Sequence, residues 1–138
     1  LRFLIERCAV AGSQVLVPVS VGELLDKITI LQIKNERIED PAKLENIRKE
    51  LHALVETCRG HGIALEHPLV SELKSINEAL WVIEDDIRDK ERAKSFDAKF
   101  IELARAVYVT NDQRFAVKSK INREMGSAYA EEKSYKPY

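Results

Sequence analysis

Four side chains in the stretch YVTNDQRFAVKSKINREMG, residues 108–126, have the chemistry to hold an anion. At 100° per residue, Arg114 and Lys118 fall between apolar neighbours. Val117, Ile121 and Met125 lie on one side of them and Phe115 on the other. Asn122 and, one turn earlier, Asn111 share their stripe, while Lys120 and Arg123 take the opposite face. A cation turned toward a core needs a carboxylate or a bound anion, because desolvating it unpaired is prohibitive. Arginine grips a carboxylate or phosphate through two parallel N–H groups, and lysine does so as a point charge. Asn111 and Asn122 would orient such a ligand. The free N–H groups of a helix starting near Asn111 would favour it too. The competing expectation is an ion pair inside the protein, with Glu78, Glu84 and Asp85 as candidate partners, and the usual pairing of buried charges favours it.

A second break in the apolar pattern lies near the other end of the chain. Val21, Leu24, Leu25, Ile28, Leu31 and Ile38 make one helical face, and Gln32 and Asn35 project from its middle. Ile30 and Ile33 lie well away from that face, so the helix is apolar on more than one side. It should be central, or shared with a second subunit. Buried amides are mostly satisfied by internal hydrogen bonds; the sharper alternative is that these two line a pocket. The candidate ligand-binding set is therefore Arg114, Lys118, Asn111, Asn122, Gln32 and Asn35. Cys58, His61 and His67 fit no standard zinc spacing and lack a fourth ligand, so no metal or cofactor is expected. No nucleophile elbow, P-loop, dinucleotide fingerprint or H-E-x-x-H motif is present. No catalytic residue can be assigned, and whether the protein is an enzyme stays open. The acidic run EDDIRDKE reads as a solvated helical face with internal charge pairs.

The elements that must position these residues are helices. Ser20 and Glu23 form an S-x-x-E capping box that starts the first, ending near Glu39. Asp40 and Pro41 cap and open the second, whose seam is Leu44, Ile47, Leu51, Leu54 and Cys58 and whose end is the RGHGI turn. His67-Pro68 opens the third, with Leu69, Leu73, Ile76, Leu80, Ile83 and Ile87 in heptad spacing. Ser95 is the predicted cap of a fourth helix, and Thr110 or Asn111 the cap of a fifth that ends at Gly126. The expected fold is all-α: an antiparallel bundle of four to five helices, with an extended N-terminal arm and an irregular C-terminal tail. Residues 1–14 are set aside as an extension or arm, 15–126 as the bundle domain and 127–138 as the tail. QVLVPVS, with Pro18 inside it, reads as an extended segment lying on the bundle or pairing with another chain. Trp81 sits off the main stripe and marks a second contact surface.

Composition narrows the function classes. The 138 residues are 45% hydrophobic and 33% charged, with five Gly and four Pro, which suits one rigid helical domain. A net charge of −1 argues against general attraction to nucleic acid or membrane. No apolar run reaches the roughly 18 residues of a membrane span. LRFLIERCAVAGSQ carries Arg2, Glu6 and Arg7 within its apolar part and makes a poor signal peptide. Two cysteines, Cys8 and Cys58, build no disulfide framework, so the cytoplasm is the expected compartment.

Two stretches, Val19–Ile38 and Tyr108–Tyr135, resemble a family of small all-helical bacterial proteins of unassigned activity. The shared pattern is an S-x-G-E-x-x-D-K-x-T-I-L opening and an N-D-x-R…K…I-N…G-S…E-K-S-Y close. It falls here on Ser20, Gly22, Glu23, Asp26, Lys27 and Thr29, then on Asn111, Asp112, Arg114, Lys118, Asn122, Gly126, Ser127 and Glu132–Tyr135. The resemblance implies a bounded domain and an association with cell-surface polysaccharide or glycosyltransferase neighbourhoods, but no reaction. A looser, fold-level resemblance is to helical chorismate mutases, which hold a dicarboxylate with Arg and Lys pairs. The leading expectation is a non-enzymatic interaction or accessory module, a homodimer or a binder of another protein. The alternative is a bundle that binds a small carboxylate or phosphate in a cationic cleft.

Overall fold

Ser20 closes an extended segment and opens the first helix, α1 (Val21–Arg37), in the computed structural model, which describes residues 13–138. The Ser20 hydroxyl accepts from the Glu23 N–H at 3.1 Å, as predicted. The return half of the capping box is replaced: the Glu23 carboxylate turns to Lys118 instead. Asp40 caps α2 (Pro41–Gly60), accepting from the N–H groups of Ala42 and Lys43 at 2.9 and 3.2 Å. Gly62, at φ 67°, supplies the left-handed residue after it. His67 caps α3 (Pro68–Arg92), its ring Nδ1 accepting from the Leu69 N–H at 3.1 Å.

The predicted boundaries of the last helices do not hold. Asp97, not Ser95, is the cap, accepting from the Phe100 N–H at 3.0 Å. Hydrogen bonds from Lys90 and from that N–H draw the Asp97 carboxyl down to about 2. From there α4 runs unbroken over Ala98–Glu124, so no fifth helix starts at Thr110 or Asn111. Residues such as Val, Thr, Asn and Asp each cost a helix only roughly 0.7 kcal/mol or less. With no Gly or Pro in VTND, packing against α1 and α3 decides. The Asn111 N–H is thus inside a helix, and no helix start exists there to draw an anion.

The helices form the expected all-α bundle, with α1 in the middle touching each of the other three. Gly22 meets Asn122 at one end of the α1–α4 contact, and Lys34 shares a cleft with Asn111 at the other, so the two run antiparallel. α3 and α4 are antiparallel as well, with Lys90 bonded to Asp97 at the turn and His67 beside Glu124 at the far end. The core joins Leu25, Ile28, Cys58, Val70, Leu73, Val117 and Ile121. Ile33 is 1% exposed within this one chain, while Ile30 is half-buried and lines a cleft, so the second apolar side of α1 is covered in part by its own neighbours. Burial pushes the Cys58 thiol up, which makes it a poor nucleophile.

Two irregular segments flank the bundle. Residues 13–19 are extended and do not lie down on it: Val15 and Leu16 are 87% and 86% exposed. The expectations for residues 1–12, Cys8 included, lie outside the described residues. Residues after Met125 have no regular structure, yet they return along α4 and make specific contacts with α1 and α4. Among the described residues, no helix is long and apolar enough to cross a membrane.

Candidate functional site

The two cations of the α4 stripe have opposite fates. Lys118 is 6% exposed, and its ammonium is enclosed by carboxylates. Glu23 Oε2 accepts from Nζ at 2.7 Å, Glu131 Oε2 lies 2.9 Å away, and Asp26 Oδ2 lies 3.8 Å away. The Glu131 oxygen has no well-directed hydrogen bond, so its tie to Lys118 is one of charge. Asp26 is itself buried, and its Oδ1 accepts from Asn77 Nδ2 at 2.8 Å. The same Nδ2 reaches the Thr29 hydroxyl at 3.1 Å, and that hydroxyl donates to the Asp26 carbonyl. The carboxylates that meet Lys118 thus come from α1 and the tail. Those expected from α3 do not: Glu78 stands 3.8 Å from Lys74, and Glu84 pairs with Arg88.

One turn further along, Asn122 is also structural. Its Oδ1 accepts from the Gly22 N–H at 2.7 Å, and Ser127 Oγ accepts from the Val21 N–H at 3.1 Å. With Ser20 serving Glu23, each N–H of the first three α1 positions has a protein acceptor. The close approach depends on Gly22: a β-carbon there would stand 2.8 Å from the Lys118 carbonyl oxygen and 2.9 Å from Asn122 Oδ1.

Arg114 is different. It is half-buried, and among the described residues no carboxylate stands within ion-pair distance of it. With Asn111 it forms the wall between two clefts. The first, of about 510 Å³, lies among α1, α3 and α4 and holds Trp81 and Asn77, with Lys34, Arg88, Glu84 and Asp85 at its polar edge. The second, of about 800 Å³, lies between α4 and the returning tail. It brings Lys133 and Lys136 to the Arg114 side, with Asp112 as its carboxylate. The remaining candidates lie elsewhere. Asn35 Oδ1 accepts from Arg48 Nε of α2 at 2.8 Å, and neither it nor the half-buried Gln32 lines a cleft with Arg114. Cys58 is in the core and His67 caps a helix, and among the described residues no three metal-binding side chains converge.

A family model covers residues 15–137, nearly the whole chain. The chain belongs to the family of unknown function DUF6165. No curated protein and no solved structure matches it. The DUF6165 match includes the tail, in keeping with Glu131 and Ser127 being part of the packed unit.

Charge in this DUF6165 bundle is pH-sensitive in a defined direction. Burial alone would lower the Lys118 ammonium, but its close contacts with the Glu23 and Glu131 carboxylates and the charge of Asp26 outweigh it and hold the group above its usual 10.5. Burial alone would raise the Glu131 carboxyl, but Lys118, with Lys133 and Arg114 beyond it, holds it below its usual 4.5. The depressed carboxyl stabilises the fold fully above pH 4.5 and loses that contribution as pH falls through its folded value. The raised ammonium stabilises fully below pH 10.5 and loses it as pH rises through its folded value. Thermal unfolding across pH should therefore show a plateau with an acid and an alkaline limb. Glu131→Gln should flatten the acid limb; an unchanged limb would assign it to other carboxylates.

Proposed function

We propose that the protein is a small-anion-binding helical bundle whose ligand is held by Arg114 and Asn111 at the mouth of the α4–tail cleft. The observation that carries this reading is the half-buried guanidinium, which has no carboxylate partner among the described residues and is set on a wall between two clefts. Lys118, by contrast, is already neutralised, and it acts by holding α1, α4 and the tail in place. Asn122 does the same through Gly22. The anion is a carboxylate or phosphate, the groups that an arginine fork fits best. A bacterial setting near cell-surface polysaccharide synthesis goes with the proposal on the motif resemblance alone, and a cytoplasmic location on the cysteine usage of the sequence.

Calorimetric titration with inorganic phosphate, pyrophosphate and citrate tests it, together with thermal unfolding, since a ligand that binds the folded state must raise its stability. Binding of at least one anion should be lost in Arg114→Ala, while stability in buffer changes by no more than about 0.5 kcal/mol. Equal binding by the wild type and Arg114→Ala would remove Arg114 from the site.

The second reading, an interaction module, rests on the exposed apolar arm. Val15, Leu16 and Val17 present side chains that a partner or a second copy would cover. Light scattering on the wild type and on a variant with these three changed to Ser would decide: a monomer in both cases removes the self-pairing form of this reading.

A further inference from the structure

The α4–tail cleft is much larger than one phosphate needs, and its walls are aromatic. Tyr108, Tyr135 and Tyr138 line it and are 41%, 78% and 79% exposed, beside the partly buried Phe115. Two of the rings, those of Tyr108 and Tyr138, are held against each other. Tyr138 packs edge-on to Tyr108 with centroids 5.0 Å apart, and its hydroxyl donates to Asp112 Oδ2 at 2.7 Å. Lys133 Nζ stands 5.1 Å from the Phe115 centroid and 5.8 Å from that of Tyr135, with Glu131 Oε1 at 3.9 Å.

Charge points the same way. Arg114, Lys133 and Lys136 face the cleft, and its one carboxylate, Asp112, is already bonded to Tyr138. The neighbouring cleft sets Glu84 and Asp85 against Lys34, Arg88 and Arg114, a smaller cationic surplus. A volume of about 800 Å³ lies within the range of pockets that take a whole small ligand.

Resting on the anion-site reading above, we infer that the ligand is a phosphate ester that carries a flat aromatic ring, of the nucleoside diphosphate class. Its phosphates sit on Arg114 and the two tail lysines, and its ring lies against the exposed tyrosine faces. Stacking on tyrosine tolerates any base, because each presents a π face. The cleft therefore favours the class over one member of it.

The test titrates the full chain with pyrophosphate, uridine diphosphate, adenosine diphosphate and glucose 1-phosphate. Both nucleotides should bind about ten- to a hundredfold tighter than pyrophosphate, the usual gain from one stacked base. Tyr135→Ala, at an exposed position where folding is not at stake, should bring the nucleotides back to the pyrophosphate level. Arg114→Ala should abolish binding of all. Nucleotides no tighter than pyrophosphate overturn this inference and leave the anion site standing. Glucose 1-phosphate as tight as the nucleotides also overturns it, since a sugar ring would then suffice. Failure of every probe, pyrophosphate included, overturns both readings.

Discussion

Lys118→Met should lower the unfolding free energy by about 3 kcal/mol, the low end of what removing one partner of a buried ion pair costs. Methionine fills much of the lysine's volume, so packing changes little. The loss comes from three carboxylates left facing one another. Asp26 carries most of it, with its side chain 8% exposed, whereas Glu23 at 52% and Glu131 at 35% recover part of their hydration. Urea unfolding near pH 7 measures the loss. A second measurement sharpens it: the deficit should shrink as pH falls below 4.5, because Lys118 is what holds the Glu131 carboxyl below its usual value and that stabilisation is lost in the wild type too as Glu131 protonates. A variant within about 1 kcal/mol of wild type would mean that water replaces the ammonium without difficulty.

Gly22→Ala is the second large effect, expected near 2 kcal/mol of destabilisation. Helix propensity argues the other way, since alanine is favoured over glycine by about 1 kcal/mol inside a helix. Sterics win because the Lys118 carbonyl is backbone and cannot swing aside, while the Asn122 amide is tied to the Gly22 N–H. The relaxation that relieves the clash, a small shift of α1 away from α4, lengthens that bond and opens the Lys118 cluster. Gly60→Ala is the control: no atom lies within 4 Å of its β-carbon position, so a gain of a few tenths up to about 1 kcal/mol is expected. If both alanines move stability in the same direction, the close approach is not what requires glycine at position 22.

Local signals carried over from sequence to structure, and pairings did not. Ser20, Asp40 and His67-Pro68 start helices because a cap is chosen by residues within one turn of it. The central place of α1 was legible in Ile30 and Ile33 lying off its main face. Helical phase separated Arg114 and Lys118 from Lys120 and Arg123, and Lys118 is indeed buried while Lys120 and Arg123 are exposed.

The partners of Lys118 were not legible. Glu23 had a sufficient local explanation in the capping box, and Glu131 sat in a tail without periodicity. Asp26 looked like any polar residue beside an apolar stripe. The S-x-G-E opening did hold a usable signal: a glycine in the first turn of a strong helix asks what approaches it. The VTND error has the opposite cause, where weak local preferences yielded to the packing of one long helix.

The bond from the Gly22 N–H to Asn122 spans a separation of 100 residues, and that from Val21 to Ser127 spans 106. The first helix is therefore finished by residues made about a hundred positions after it. At a synthesis rate of about 5–20 residues per second, its leading turn waits roughly 5–20 s for its acceptors. During that interval water alone serves those amides, and Asp26 has no ammonium to balance it. The fold is fastened only when the segment from Lys118 to Ser127 arrives, so any shortened product lacking it carries an open first helix, a state that proteases and chaperones can distinguish from the finished protein.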